Sequence, residues 1–168
     1  MVGFTAVLLS MGSPVWAVMR ALSIGELTKS SDAVVEGDVV HVTSFWTTDG
    51  KAIMSRATVT IVDVVRGAAD QKILTVEFEG GEVGDVGMGV SDMATVSSGQ
   101  RILVFLRKKR GLPNERTYEI IGRAQGLYKV GADRVARKGG FSLVPGSGEV
   151  VDNNLDVDLL KEKIRGAR

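Results

Sequence analysis

His41 is the only histidine in the chain, so it is the one side chain whose ordinary pKa suits general-base work near neutrality. A zinc site needs further imidazole or thiolate ligands, and the 168 residues hold no second histidine and no cysteine. A Ser-His-Asp triad would have to recruit His41, yet no Gly-x-Ser-x-Gly elbow presents a serine to it. Gly146-Ser147-Gly148 reads as a loop tripeptide. His41 therefore reads as a half-buried strand residue. The sequence offers no catalytic constellation, metal ligand set or cofactor site.

Three other groupings carry weaker chemistry. Glu77, Glu79, Glu82, Asp85 and Asp92 form an acidic series. Glu77 and Glu79 share a strand face, and Glu82 with Asp85 can fold over them. Calcium takes such oxygen ligands in flexible loops, but the EF-hand spacing is absent. Paired carboxylates also hydrolyse glycosides, yet no cleft is visible for them. The stretch Gly80-Gly-Glu-Val-Gly-Asp-Val-Gly87 lacks the Gly-Lys-Ser/Thr of a phosphate loop, and its acids repel phosphate. The run Arg107-Lys-Lys-Arg110 could touch a polyanion, but it reads more simply as a solvated turn after a buried strand. What remains is Phe45-Trp46 beside Asp49-Gly50, aromatics at a hairpin end that can anchor a partner or cap a barrel.

These residues are positioned by two long strand-like segments, Ala33 to Trp46 and Ile53 to Val65, joined at Asp49-Gly50. The Asp-Gly pair predicts a two-residue type I′ hairpin turn. Gly37 inside the first segment, and a slip in apolar phase at Ile61-Val62, predict bulges that bend the hairpin. Ser23 and Glu26 have capping-box spacing and predict a short helix from Ile24 to about Lys29. Ile73 to Glu79 alternates, with Leu74, Val76 and Phe78 on one face. Arg101 to Leu106 is apolar on both faces and reads as the most buried strand. Thr117–Ile121, Leu127–Val130, Arg134–Arg137 and Phe141–Val144 give further short strands. Leu155, Leu159, Leu160 and Ile164 recur at helical spacing, predicting a C-terminal helix over 155–165 packed by one face. The expected fold is all-β: a small closed OB-like β-barrel with short flanking N- and C-terminal helices.

Composition bounds the rest. A hydrophobic content of 44% and a charged content of 24% fit a folded domain, and the length suits one domain spanning 18–168. Lys plus Arg number 21 against 20 for Asp plus Glu, so no net charge draws the chain to nucleic acid or an anionic membrane. Residues 1–17 contain an uncharged apolar run, with Val15 and Ala17 at −3 and −1 of a cut after Ala17, the shape of a secretory signal peptide. No Lys or Arg precedes that run, so either the true start lies upstream of Met1 or the leader is atypical. The alternatives are a start at Met19 and a buried N-terminal segment. The run is too short and interrupted for a bilayer span, and with no cysteine a bacterial-type lipid anchor is excluded. A soluble, secreted or periplasmic product without stable membrane insertion is expected.

Ser31-Asp-Ala-Val-Val-Glu-Gly-Asp-Val39, Val62-Asp-Val-Val-Arg-Gly67 and Gly99-Gln-Arg-Ile-Leu-Val-Phe-Leu106, with Gly80-Gly81 and Gln125-Gly126, resemble a group of uncharacterised bacterial exported proteins. More distantly, the order is similar to the netrin-like domain of metalloproteinase inhibitors, over roughly residues 31 to 130. That resemblance implies an OB-type barrel. The inhibitors chelate zinc through an N-terminal cysteine, which this chain lacks. The expectation is an exported, non-enzymatic binding or accessory protein whose partner is a protein or glycan, not nucleic acid. The alternative is a modulator or inhibitor of an exported protease. A hydrolase using the acidic loop ranks last.

Overall fold

The computed structural model describes residues 20–67, 71–110, 117–139 and 152–167. The leader, the strand expected over 141–144 and the loop at 145–148 lie outside the described residues. In chain order the elements are α1 (Ile24–Ser30), β1 (Ala33–Trp46), β2 (Ile53–Gly67), β3 (Ile73–Glu79), β4 (Gly81–Val83), β5 (Val86–Met88), β6 (Arg101–Lys108), β7 (Thr117–Ile120), a 3-10 turn (Arg123–Gly126), β8 (Leu127–Val130), β9 (Val135–Arg137), β10 (Leu155–Asp156) and α2 (Val157–Gly166).

Five strands close on themselves in the order β1-β2-β3-β7-β6, with β6 returning to the first half of β1. Every neighbour in this ring is antiparallel except β3 and β7, which run parallel. Counted along the chain, the ring is first-second-third-fifth-fourth, the OB-like connectivity expected from sequence.

Closure depends on one strand serving two neighbours, so β1 must bend. Its pairing with β2 shifts register three times, leaving Val65, Val62 and Val40 without partners. The slip expected at Ile61-Val62 is the second of these. A Cβ on Gly37 would lie 2.5 Å from Val59 Cγ1 and 2.7 Å from the Thr60 carbonyl, so only glycine lets β2 approach there. At the far end of β2, Gly67 has φ +84°, and a Cβ would stand 2.2 Å from the Asp32 carbonyl. The three stretches behind the family resemblance therefore meet at one seam. The Asp32 N–H donates to the Leu106 carbonyl, and the Asp32 carboxylate accepts from the Lys108 N–H.

Two cores share β6, whose apolar residues alternate between them. Ile102, Val104 and Leu106 point into the barrel with Val35, Val59, Val76 and Phe78. Leu103 and Phe105 point outward, under α1 and α2, with Leu27, Tyr128, Leu160 and Ile164. Burying each such side chain contributes roughly 1.5–3 kcal/mol.

Three local expectations change. The turn after Trp46 is not type I′. Trp46 pairs with Ile53, leaving a longer loop in which the Gly50 N–H donates to the Thr47 carbonyl. Only Gly50 has positive φ; the Asp49 carboxylate is engaged by the Thr47 hydroxyl and the Lys51 N–H. β2 runs two residues further than expected, to Gly67. The C-terminal helix starts at Val157, because Leu155–Asp156 pairs with β9 and Asp156 then caps the helix by accepting from the Asp158 and Leu159 amides. Its buried face is Val157, Leu160, Lys161 and Ile164, and Leu159 is left exposed. At the other end α1 carries the expected capping box: Ser23 Oγ accepts from the Glu26 N–H, and the Glu26 carboxylate accepts from the Ser23 N–H.

Candidate functional site

The β1–β2 hairpin ends beside a second, smaller hairpin, β4–β5. Its turn is Gly84-Asp85, with Gly84 at φ +60° in the first central position that a type II′ turn reserves for glycine. Ser44 and Ser55 face each other across β1 and β2, with their oxygens 2.9 Å apart. Ser55 donates to the Gly80 carbonyl at 2.6 Å, and the Glu82 N–H donates to Ser44. A Cβ on Gly81 would stand 2.3 Å from both serine oxygens, so the glycine pair is what seats β4 on the barrel. These serines fasten backbone and carry no base beside them.

Beneath this hairpin lies an open groove of about 480 Å³. Its floor is made by Val42, Phe78, Met88, Val90 and Met93. Ala94 and Val96, from the segment after β5, continue into the barrel core.

Strand alternation splits the expected contact pair Phe45-Trp46. Trp46 lies on the same side of β1 as Ser44, the side that meets β4–β5, and is 43% exposed. Phe45 lies on the opposite side, across from Met54, with the Arg56 guanidinium stacked 4.9 Å from its ring centroid. Asp49 and Gly50 sit at the exposed tip; a Cβ on Gly50 would meet nothing within 4 Å. Trp46 therefore shares the strand side of the groove without lining it, and Phe45 belongs with a charged outer face.

That outer face absorbs the acidic and basic groupings. Glu77 is buried between Arg56 and Lys109, at 2.5 Å from each. Burial pushes its carboxyl up, but the two cations prevail and hold it below its ordinary value. Arg107 pairs with Glu119 at 2.8 Å. The run Arg107–Arg110 thus faces carboxylates, and the cavity of about 490 Å³ it lines also includes Asp32 and Glu119. The acidic series does not converge. Glu77 is neutralised, Glu79 and Glu82 stand at the groove and Asp85 is in the turn. Among the described residues no three carboxylates or imidazoles gather to hold a metal ion. His41 is exposed rather than half-buried, because the bulge at Val40 rotates it outward; its Nε2 contacts only the neighbouring Thr43 hydroxyl, at 2.9 Å.

Sequence reasoning missed two polar devices. Glu36, 1% exposed, is met by Lys161 at 2.5 Å and Arg134 at 2.9 Å, with Arg101 at 3.9 Å. Lys161 also reaches Asp63 at 2.8 Å, which ties α2 to β1 and β2. The available signal was a lysine at the third position of the stripe Val157, Leu160, Lys161, Ile164. The second device is the buried Gln125, whose amide accepts from the Leu22 N–H and donates to the Arg20 carbonyl, fastening the chain ahead of α1. A Cβ on Gly126 would lie 1.7 Å from the Ile121 carbonyl, which explains the Gln-Gly pair.

Among the described residues no helix is long and apolar enough to cross a membrane. The chain matches no known protein-family profile, and no curated protein matches it either.

Proposed function

We propose that the chain is an exported, non-enzymatic binding or accessory module. It would engage a protein or glycan through the barrel end formed by Trp46, the Asp49-Gly50 tip and the adjoining groove. The observation that carries this reading is the exposed Trp46 on the same strand side as that apolar groove. Glu77 and Glu119 are held in ion pairs, and His41 turns outward on the opposite side of β1 from the groove. The OB-like barrel connectivity that the netrin-like resemblance implies is what favours a second reading, modulation of an exported protease. In that case the captured partner is a protease whose turnover changes on binding.

The test is capture from envelope extract with the wild-type chain and with Trp46→Ala in parallel. Circular dichroism serves as the check on folding. The expected result is a protein or glycan enriched by wild type and lost with Trp46→Ala. Identical recovery by both chains, or no enrichment, would sink the reading. Mass spectrometry of the native product tests export separately: a mass beginning at Val18 is expected, and an intact Met1 overturns it.

A further inference from the structure

The groove under β4–β5 has a chemical character that the rim alone lacks. Its floor is apolar and includes Phe78 with Met88 and Met93, whose thioethers adapt to varied shapes. Two acids stand at its lip: Glu79 ends β3 and Glu82 lies within β4, while Asp85 follows in the turn between β4 and β5. Elsewhere carboxylates meet cations, as Glu36, Asp38, Asp63, Glu77 and Glu119 do. Glu79, Glu82 and Asp85 join no ion pair among the described residues. Among the described residues β5 pairs only with β4, and no described strand lies along its other edge. A Cβ on Gly89 would meet nothing within 4 Å, which leaves that backbone open to close approach.

We infer that this groove takes an extended segment of a protein partner, carrying one large apolar side chain flanked by lysine or arginine. The apolar side chain fills the floor, the flanking cations meet Glu79 and Glu82, and the extended backbone lies along the free edge of β5. A volume of about 480 Å³ holds one aromatic or long aliphatic side chain with part of its backbone, and the open mouth lets the neighbours reach the lip. Charge complementarity distinguishes this occupant from a second copy of the chain, whose corresponding lip carries the same acids and repels. The inference rests on the binding-module reading and specifies its ligand chemistry.

The experiment titrates the isotope-labelled full chain with three capped tripeptides, Lys-Phe-Lys, Glu-Phe-Glu and Lys-Ala-Lys, and follows amide and methionine-methyl resonances. The expected result is saturable shifts at Gly81, Met88 and Met93 with Lys-Phe-Lys. Binding of each of the other two peptides should be weaker by about tenfold or more. Added salt should weaken Lys-Phe-Lys binding. The double substitution Glu79→Gln with Glu82→Gln, at two exposed positions, should lower that affinity several-fold while leaving the remaining spectrum in place. Equal binding of all three peptides, shifts confined to other surfaces, or no shifts at all would overturn the inference. So would tighter binding of dodecyltrimethylammonium, a cationic lipid analogue, or concentration-dependent shifts without peptide. If envelope capture depends on Trp46 while Lys-Phe-Lys fails to bind, the groove inference falls and the binding-module reading stands.

Discussion

Lys161 and Lys138 are exposed to nearly the same small degree, 6% and 8%, yet their protons respond in opposite directions. At Lys161 burial pushes the amine down, but the hydrogen bonds it donates to Asp63 and Glu36 overcome this and hold the pKa above its ordinary value. At Lys138 burial prevails and lowers the pKa from 10.5 to about 8, with only a modest opposing pull from Asp152. The Lys138 amine instead lies 4.5 Å from the centroid of the Tyr128 ring, whose hydroxyl donates to the Asp152 carbonyl. An aromatic face attracts a cation, but it replaces hydration less completely than two carboxylates do. Low surface exposure alone therefore does not fix the sign. Lys138 is the more deeply enclosed, so burial weighs more on it, whereas α2 brings Lys161 to two acceptors.

The most direct way to break this comparison is to strip Lys161 of its function as a counter-ion. Lys161→Ala leaves Glu36 buried with Arg134 alone in close contact and should lower unfolding stability by about 3–5 kcal/mol, read from urea midpoints. Glu36→Met combined with Lys161→Met should recover most of that loss. Asp63 keeps Arg165 and Arg134 keeps Asp158 in the double variant, so no buried charge is stranded. A double variant no better than the single would show that packing under α2, not charge pairing, holds the helix.

Lys138 should behave in the opposite sense. Lys138→Met removes a charge whose burial is poorly compensated, so it should stabilise the chain at neutral pH by on the order of 1–3 kcal/mol. The sign with pH follows from the lowered pKa. Between about 8 and 10.5 the unfolded chain holds a proton that the folded chain has released, so wild-type stability rises with pH across that window. The advantage of Lys138→Met should shrink across the same window. Lys161 contributes the reverse, stability present below 10.5 and lost as pH rises through its raised folded value. Thermal unfolding at pH 7 and pH 10 measures the Lys138 effect, and an advantage for Lys138→Met that is unchanged at pH 10 would rule out the burial account.

Neither lysine announced itself in the sequence, although much of the barrel did. The bounds of β1 were legible because apolar alternation and the Asp49-Gly50 signal are local. Gly37 and the Ile61-Val62 slip were legible because a bulge breaks the period of two within a single strand. β6 was legible because apolar residues on both faces require two covers. Lys161 was not, because its place depends on Glu36, which reaches it only after the barrel closes and α2 docks. The type I′ reading of the turn failed for a related reason. Thr47 and Lys51 satisfy the Asp49 carboxylate in a longer loop, and dipeptide statistics do not see that loop. At the candidate site, Trp46 and Phe45 are neighbours in sequence and opposites in space. The groove that separates their roles is covered by β4–β5, two three-residue strands too short to show a periodic pattern in sequence.

The smallest expected effect sharpens the comparison from the solvent side. Asp63 meets two cations, the buried Lys161 at 2.8 Å and the half-exposed Arg165 at 3.2 Å. The two bonds are similar in length and share an acceptor, so a difference in their worth must come from solvent. Arg165 keeps its hydration and is screened by salt, and an exposed pair of this kind contributes roughly 0.2–1 kcal/mol. Arg165→Ala should therefore shift the urea midpoint slightly, and the shift should vanish at high salt. Lys161→Ala should retain most of its cost at the same salt, because the buried pair is shielded from ions. A salt-insensitive loss of several kcal/mol from Arg165→Ala would mean that Asp63 is anchored from outside the helix. The buried lysine would then be the passenger in the network rather than its centre.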